Sequence, residues 1–189
     1  MEKKKYDLIL IGPQIAGKTA LLRTLLGEEP SEHYATQSNG EGKTIGRWFK
    51  KLFVLDAGGK FNEFEKYSLW CKEAKKIIFV FNGCEMLEEV QNFEKAGKNT
   101  SFCRRVCSDL EKDANICFVA THKDSYQGKN LVGEIHQSIE KANETYGEQF
   151  PNLSKRYHPF SKMMNGRLFA VNALNKDEVK VLFEKIAEL

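Results

Sequence analysis

Tyr6-Asp7-Leu8-Ile9-Leu10-Ile11 runs directly into Gly12-Pro13-Gln14-Ile15-Ala16-Gly17-Lys18-Thr19, and the reading of this stretch decides the fold. The first six residues are almost continuously apolar, as a strand buried on both faces must be. The next eight fit the pattern GxxxxGK(S/T), and Lys18–Leu26 then reads as a helix stopped by Gly27. A glycine loop between a buried strand and a helix start lets backbone N–H groups face an anion, and the helix end adds its own partial positive charge. Lys18 would bring a point charge to the β- and γ-phosphates of a nucleoside triphosphate, and the Thr19 hydroxyl would be a ligand for Mg²⁺. Gly12, Ile15, Ala16, Gly17, Lys18, Thr19 and Ala20 are therefore the expected phosphate-binding residues.

Outward from this stretch, short apolar runs alternate with longer amphipathic ones. Strands are expected at 44–48, 51–55, 76–81, Ile116–Thr121 and 167–171, and helices at 61–75, 85–112, 130–146 and 176–189. Gly97 and Asn99 are candidate breaks in the long third helix, and 28–44 reads as a polar loop. This alternation predicts an α/β domain around a mostly parallel sheet, with six strands and about five flanking helices.

The 189 residues suit one domain, and 41% hydrophobic with 29% charged residues excludes a disordered chain. No apolar run approaches the roughly 20 residues of a membrane helix. The basic start, Glu2-Lys3-Lys4-Lys5, precedes an apolar run shorter than the roughly 7–15 residues of a signal-peptide core, so a cytoplasmic protein is expected. A net charge of +3 is too mild to point to nucleic acid, and no DNA partner is expected. Five cysteines without a CxxC pair predict free thiols. Cys103 and Cys107 have no histidine at ligand spacing and read as buried side chains.

Two further segments carry chemistry. Asp56-Ala57-Gly58-Gly59 closes the third expected strand as DxxG, 38 residues after Lys18. A strand-end aspartate can hold Mg²⁺, and the Gly59 N–H can meet a γ-phosphate with no side chain in the way. Thr121-His122-Lys123-Asp124 closes the fifth strand. At this point the chain resembles a small GTPase of the Ras/Arf type within the P-loop superfamily, whose fifth strand ends in (N/T)KxD.

The resemblance spans the whole chain in motif order, and it implies a three-layer P-loop NTPase fold in a single domain over residues 1–189. It implies that Asp124 accepts from the guanine N1–H and exocyclic amine. Thr121 matches the first position of that motif, while His122 stands where the family has a lysine packed over the base, with Lys123 beside it. Asn172-Ala173-Leu174 corresponds to the family's last element, in which the Ala173 N–H meets guanine O6. The implied ligands are GTP or GDP and Mg²⁺, with Thr19, Thr36 and Asp56 around the ion and Thr44 as second choice for Thr36. The implied switch loops lie near 31–44 and 58–70, and an effector or regulatory protein would read them.

The family's catalytic glutamine is replaced by Lys60, and Gln14 stands in the phosphate loop where small residues are common. Lys18, Lys60 and Gln14 are the candidate catalytic residues, and slow intrinsic hydrolysis of GTP is expected. A surplus near 147–166 reads as an insertion, with a basic and aromatic stretch over 151–167. Glu2 and the terminal Ala187-Glu188-Leu189 match no lipidation signal, so no stable membrane anchor is expected. Two alternatives stand beside the switch reading: a pseudo-GTPase that binds without cycling, and a P-loop ATPase or nucleotide kinase.

Overall fold

The computed structural model describes residues 6–28, 41–45, 52–56, 64–92, 97–109, 115–149 and 167–189. Its strands are β1 (Tyr6–Ile11), β2 (Glu41–Ile45), β3 (Leu52–Asp56), β4 (Ala74–Asn82), β5 (Ile116–Thr121) and β6 (Leu168–Ala170). Its helices are α1 (Lys18–Leu26), α2 (Phe64–Glu73), α3 (Gly83–Gln91), α4 (Lys98–Asp109), α5 (Leu131–Gln149) and α6 (Lys176–Glu188). The sheet order is β2-β3-β1-β4-β5-β6, parallel throughout except where β2 pairs antiparallel with β3.

Side chains alternate across a strand, and that alternation sorts the core into two layers. Ile9 and Ile11 of β1, Ile77, Phe79 and Phe81 of β4, and Ile116 and Phe118 of β5 face α2, α3, α4 and α5. Their neighbours Leu8 and Leu10, Ile78 and Val80, and Cys117 and Val119 face α1 and α6 on the other side. Continuous apolar runs were needed because both faces are covered. Phe79 anchors the first layer, with ring centroids 5.9–6.0 Å from Phe81, Phe102 and Phe118. Each such ring contributes about 1.5–3 kcal/mol through burial.

The sequence expectations hold in part. The long helix expected over 85–112 breaks near Gly97 and Asn99, the candidate positions, into α3 and α4: both oxygens of the Glu89 carboxylate accept backbone N–H groups, from Asn99 at 3.1 Å and Thr100 at 2.7 Å, so a side chain from α3 caps α4. The buried Asn99 amide adds a 2.8 Å bond to the same carboxylate. The strand expected at 44–48 begins at Glu41, because the ladder with β3 runs from Glu41 opposite Asp56 to Ile45 opposite Leu52. Register with a partner decides its span more than local apolarity does. Residues 41–44 are therefore strand and not loop, while Phe64–Glu73 forms a helix within the expected span 61–75 and takes in 64–70 of the second expected switch.

Residues 147–149 complete α5. The rest of the expected insertion, and the basic stretch except Arg167, lie outside the described residues. Among the described residues no helix is long and apolar enough to cross a membrane, and no group of three or more His, Cys, Asp or Glu side chains is placed to hold a metal ion. Cys71, Cys103 and Cys117 are buried free thiols, and burial pushes the Cys71 thiol up to about 12.

Candidate nucleotide site

β1 ends in the middle of the sheet, and the chain leaves it through the glycine loop toward α1, while β3 and β4 on either side lead to helices of the opposite layer. Neighbouring strands that send their chains to opposite faces open a crevice at their C-terminal ends, where open α/β sheets bind ligands. The register puts Asp56 opposite Leu10, so the last residue of β3 lies beside the strand end that feeds the glycine loop.

The loop holds its shape through unusual backbone angles. Gly12 has φ +150°, and a Cβ there would sit 1.9 Å from the Val80 carbonyl oxygen, so only glycine fits. Ile15 and Gly17 take left-handed conformations, φ 62° and 82°. A β-branched residue at positive φ is strained, and Ile15 is also 81% exposed, so packing does not drive its placement. Gly17 caps α1 without a side-chain hydrogen bond, and the first turn of α1 carries no acid. The cap itself therefore contributes no side-chain acceptor to this helix start, and the first turn adds no negative charge to it.

Lys18 is 5% exposed. Its ammonium donates to the carbonyls of Gly12 at 3.2 Å and Pro13 at 2.8 Å, which fold it back across the loop. Gln14 is exposed on the loop, Ala16 is buried, and Thr19 and Ala20 are half-buried in the first turn of α1.

β5 meets the loop through one hydroxyl. Thr121 is fully buried, and its Oγ1 lies 2.8 Å from the Ala16 carbonyl oxygen, 3.0 Å from that of Phe81 and 2.9 Å from His122 Nδ1. Gly17 packs so close that a Cβ there would touch the Thr121 side chain at 3.3 Å. His122 then turns the chain with φ 59° into a short 3-10 turn, Lys123–Ser125, that leaves Asp124 exposed. Cys84 Sγ donates to the His122 carbonyl at 3.6 Å. Burial, and then Glu88, Asp124 and Glu85, push its thiol up and keep it protonated. Just beyond, a hydrogen bond to Glu134 holds the Tyr126 phenol up to about 12.

The loop after β6 joins the same end of the sheet. Thr24 Oγ1 of α1 donates to the Ala173 carbonyl at 2.7 Å. Leu174 N–H donates to Asn172 Oδ1 at 3.0 Å, closing a turn that leaves Leu174 exposed and Ala173 buried. Glu178 Oε2 accepts from Lys123 Nζ at 3.1 Å and from Asn172 N at 3.2 Å. Sequence reasoning missed Glu178; its signal was Asn175-x-x-Glu178 at the start of α6, the spacing of a helix capping pair.

The structure therefore brings together Gly12, Gln14, Ile15, Ala16, Gly17, Lys18, Thr19, Ala20, Thr121, His122, Lys123, Asp124, Asn172, Ala173 and Leu174, with the backbone of Asp56 at the neighbouring strand end. Thr36, Gly59 and Lys60 lie outside the described residues. Thr44 is in a different place from the one expected of a switch residue: it pairs with Phe53, three residues along β3 from Asp56 and about 10 Å from that strand end.

The sequence matches no protein-family model and no curated protein. Solved structures do share the fold. The mammalian SRP receptor structure matches with a TM-score of 0.66 at 16% identity, over 95% of this chain and 99% of that one. A bacterial selenocysteine-specific elongation factor, EF-Sec, matches with 0.57 at 16% identity over 97% of this chain, which spans 29% of the factor. The Arl6 small GTPase of Trypanosoma brucei, with the bound nucleotide analogue GppNp, matches with 0.51 at 17% identity over 97% and 95% of the two chains. Identities this low establish a common fold: the chain is built on the same α/β architecture as these three proteins.

Proposed function

We propose that this chain is a cytoplasmic guanine-nucleotide-binding switch that hydrolyses GTP slowly to GDP and phosphate. One observation carries the reading: the Thr121 hydroxyl, 2.8 Å from the Ala16 carbonyl, joins the phosphate loop to the segment ending in Asp124. A loop shaped for phosphates and a carboxylate suited to the guanine edge are thereby held on one rigid frame. That a small GTPase with a bound nucleotide analogue has this fold supports the same reading.

In it, the amides of the loop and of the α1 start bind the phosphates, with Lys18 as their charged partner. Asp124 selects the base and the Ala173 N–H meets its carbonyl edge. The donor chemistry near the loop suits a hard cation, since Thr19 offers a hydroxyl and Asp56 a carboxylate at adjoining element ends. Mg²⁺ held there, with Thr36, would supply positive charge to the phosphate oxygens. Lys60 in place of a glutamine lacks the amide that both accepts from and donates to an attacking water, which makes intrinsic turnover slow. Gln14 is the one amide side chain of the loop and would substitute in part. In this reading an effector or regulatory protein would engage the switch segments near 31–44 and 58–70, which take in part of β2 and the start of α2.

Titration calorimetry of nucleotide-free protein with Mg²⁺ and GDP, a GTP analogue, ADP and an ATP analogue tests the reading. Tight guanine binding that excludes adenine is expected. Adenine binding overturns it in favour of an ATPase or kinase, and no binding overturns it in favour of a degenerate fold. Guanine binding without single-turnover hydrolysis makes the chain a pseudo-GTPase.

A further inference from the structure

Glu178 stands outside every segment assigned above, yet its carboxylate touches two of them. It occupies the third position of α6, where a glutamate next to a capping residue commonly bonds the backbone N–H of that cap. Here the Asn175 N–H is taken instead by the Asn172 carbonyl at 3.0 Å. The Glu178 carboxylate passes it by and accepts from Asn172 N at 3.2 Å and from Lys123 Nζ at 3.1 Å, both through Oε2.

Those two donors flank the groups that would meet a base. Lys123 precedes Asp124, and Asn172 precedes Ala173. The carboxylate itself sits on a rigid element. The Glu178 N–H donates to Asn175 Oδ1 at 3.2 Å, and the next residue, Val179, is fully buried against the sheet with Leu182 and Phe183. A single oxygen thus spans the β5 and β6 loops from a fixed point.

We infer that Glu178 is a positioning residue for base recognition, fixing the gap between the Asp124 carboxylate and the Ala173 N–H so that guanine bridges both. This rests on the guanine-nucleotide reading above. Two features separate the role from that of an ordinary surface ion pair, which contributes little. One of its bonds is to a backbone N–H, and a charged acceptor strengthens such a bond. Moreover, the pair links loops that no described strand ladder joins beyond Ala120 opposite Ala170.

The test compares wild type with Glu178→Ala, Glu178→Gln and Lys123→Met in binding GDP and inosine diphosphate, whose base lacks the exocyclic amine that Asp124 would accept. Glu178→Ala is expected to weaken GDP about tenfold and inosine diphosphate about threefold, so that the preference between them falls. Glu178→Gln keeps an acceptor for Asn172 N–H and recovers part of the loss, while Lys123→Met, which removes the ion pair and leaves the Asn172 bond, loses about threefold on GDP. Thermal unfolding of each variant reports its folding. Should Glu178→Ala fail to fold, Glu178→Gln decides: a reduced preference for GDP supports the positioning role, and an unchanged one overturns it. Equal losses for both nucleotides, or none, overturn the positioning role and leave the nucleotide reading intact. A wild type that does not prefer guanine overturns that reading, and this inference with it.

Discussion

Helices α1 and α6 lie in the same layer, pack on the same face of the sheet and share one core, yet their N-termini are finished in opposite ways. At α6, Asn175 Oδ1 accepts from Asp177 N and Glu178 N at 3.1 and 3.2 Å, and two acids stand in the first turn. At α1, the cap is a glycine with no side-chain bond, and the first turn has a buried lysine and no acid. The first end carries a side-chain cap and two acids; the second has a glycine cap and a lysine, with no first-turn acid to offset the positive end of the helix. A helix end finished like α6 is worth about 1 kcal/mol to folding. Forgoing that stabilisation beside a buried ammonium makes sense where an anion takes the place of the cap.

Substitutions can break this contrast. The largest effect is expected from Gly12→Ala, which drives a methyl into the Val80 carbonyl and collapses the loop that keeps α1 open. Unfolding in urea should show a loss of about 3 kcal/mol or more. Lys18→Met should lower nucleotide affinity about a hundredfold, or about 2.7 kcal/mol, by calorimetry. The unliganded protein should also lose about 1–3 kcal/mol, because the buried Gly12 and Pro13 carbonyls lose their shared donor.

Ala20→Glu gives α1 the first-turn acid that α6 has. It should weaken nucleotide binding about tenfold by repulsion, while stabilising the unliganded protein by about 0.5 kcal/mol. Opposite signs in calorimetry and thermal unfolding are the outcome that sharpens the comparison; two losses would mean that the half-buried site rejects the side chain. The smallest change is Asn175→Ala, which removes the α6 cap and should cost about 1 kcal/mol of stability. Its effect on phosphate affinity should be nil, as read from binding of inorganic pyrophosphate.

The contrast was partly legible in the sequence. GxxxxGK(S/T) after YDLILI announced an open helix start, and β1, α1 and β5 fall where periodicity put them, because each is short, strongly apolar and bounded by glycine or a polar turn. Elements held by distant partners were harder to read. β2 takes its span from β3, and α4 takes its start from a Glu89 carboxylate on another helix; neither partner is visible in a local window. Within the site, single-segment motifs were legible, whereas the ties between segments were not. Thr121 to Ala16, Thr24 to Ala173 and Glu178 to Lys123 join residues 105, 149 and 55 positions apart, and no spacing rule reaches that far.

The Thr121 hydroxyl has one proton to give and faces two buried carbonyl oxygens, neither of which can donate. One hydroxyl therefore ties the Ala16 carbonyl of the glycine loop and the Phe81 carbonyl of β4 to the end of β5, and the His122 ring stands 2.9 Å from the same oxygen. Where a flexible lysine stem could swing, a flat ring is thereby anchored to the atom that joins the loop to the sheet.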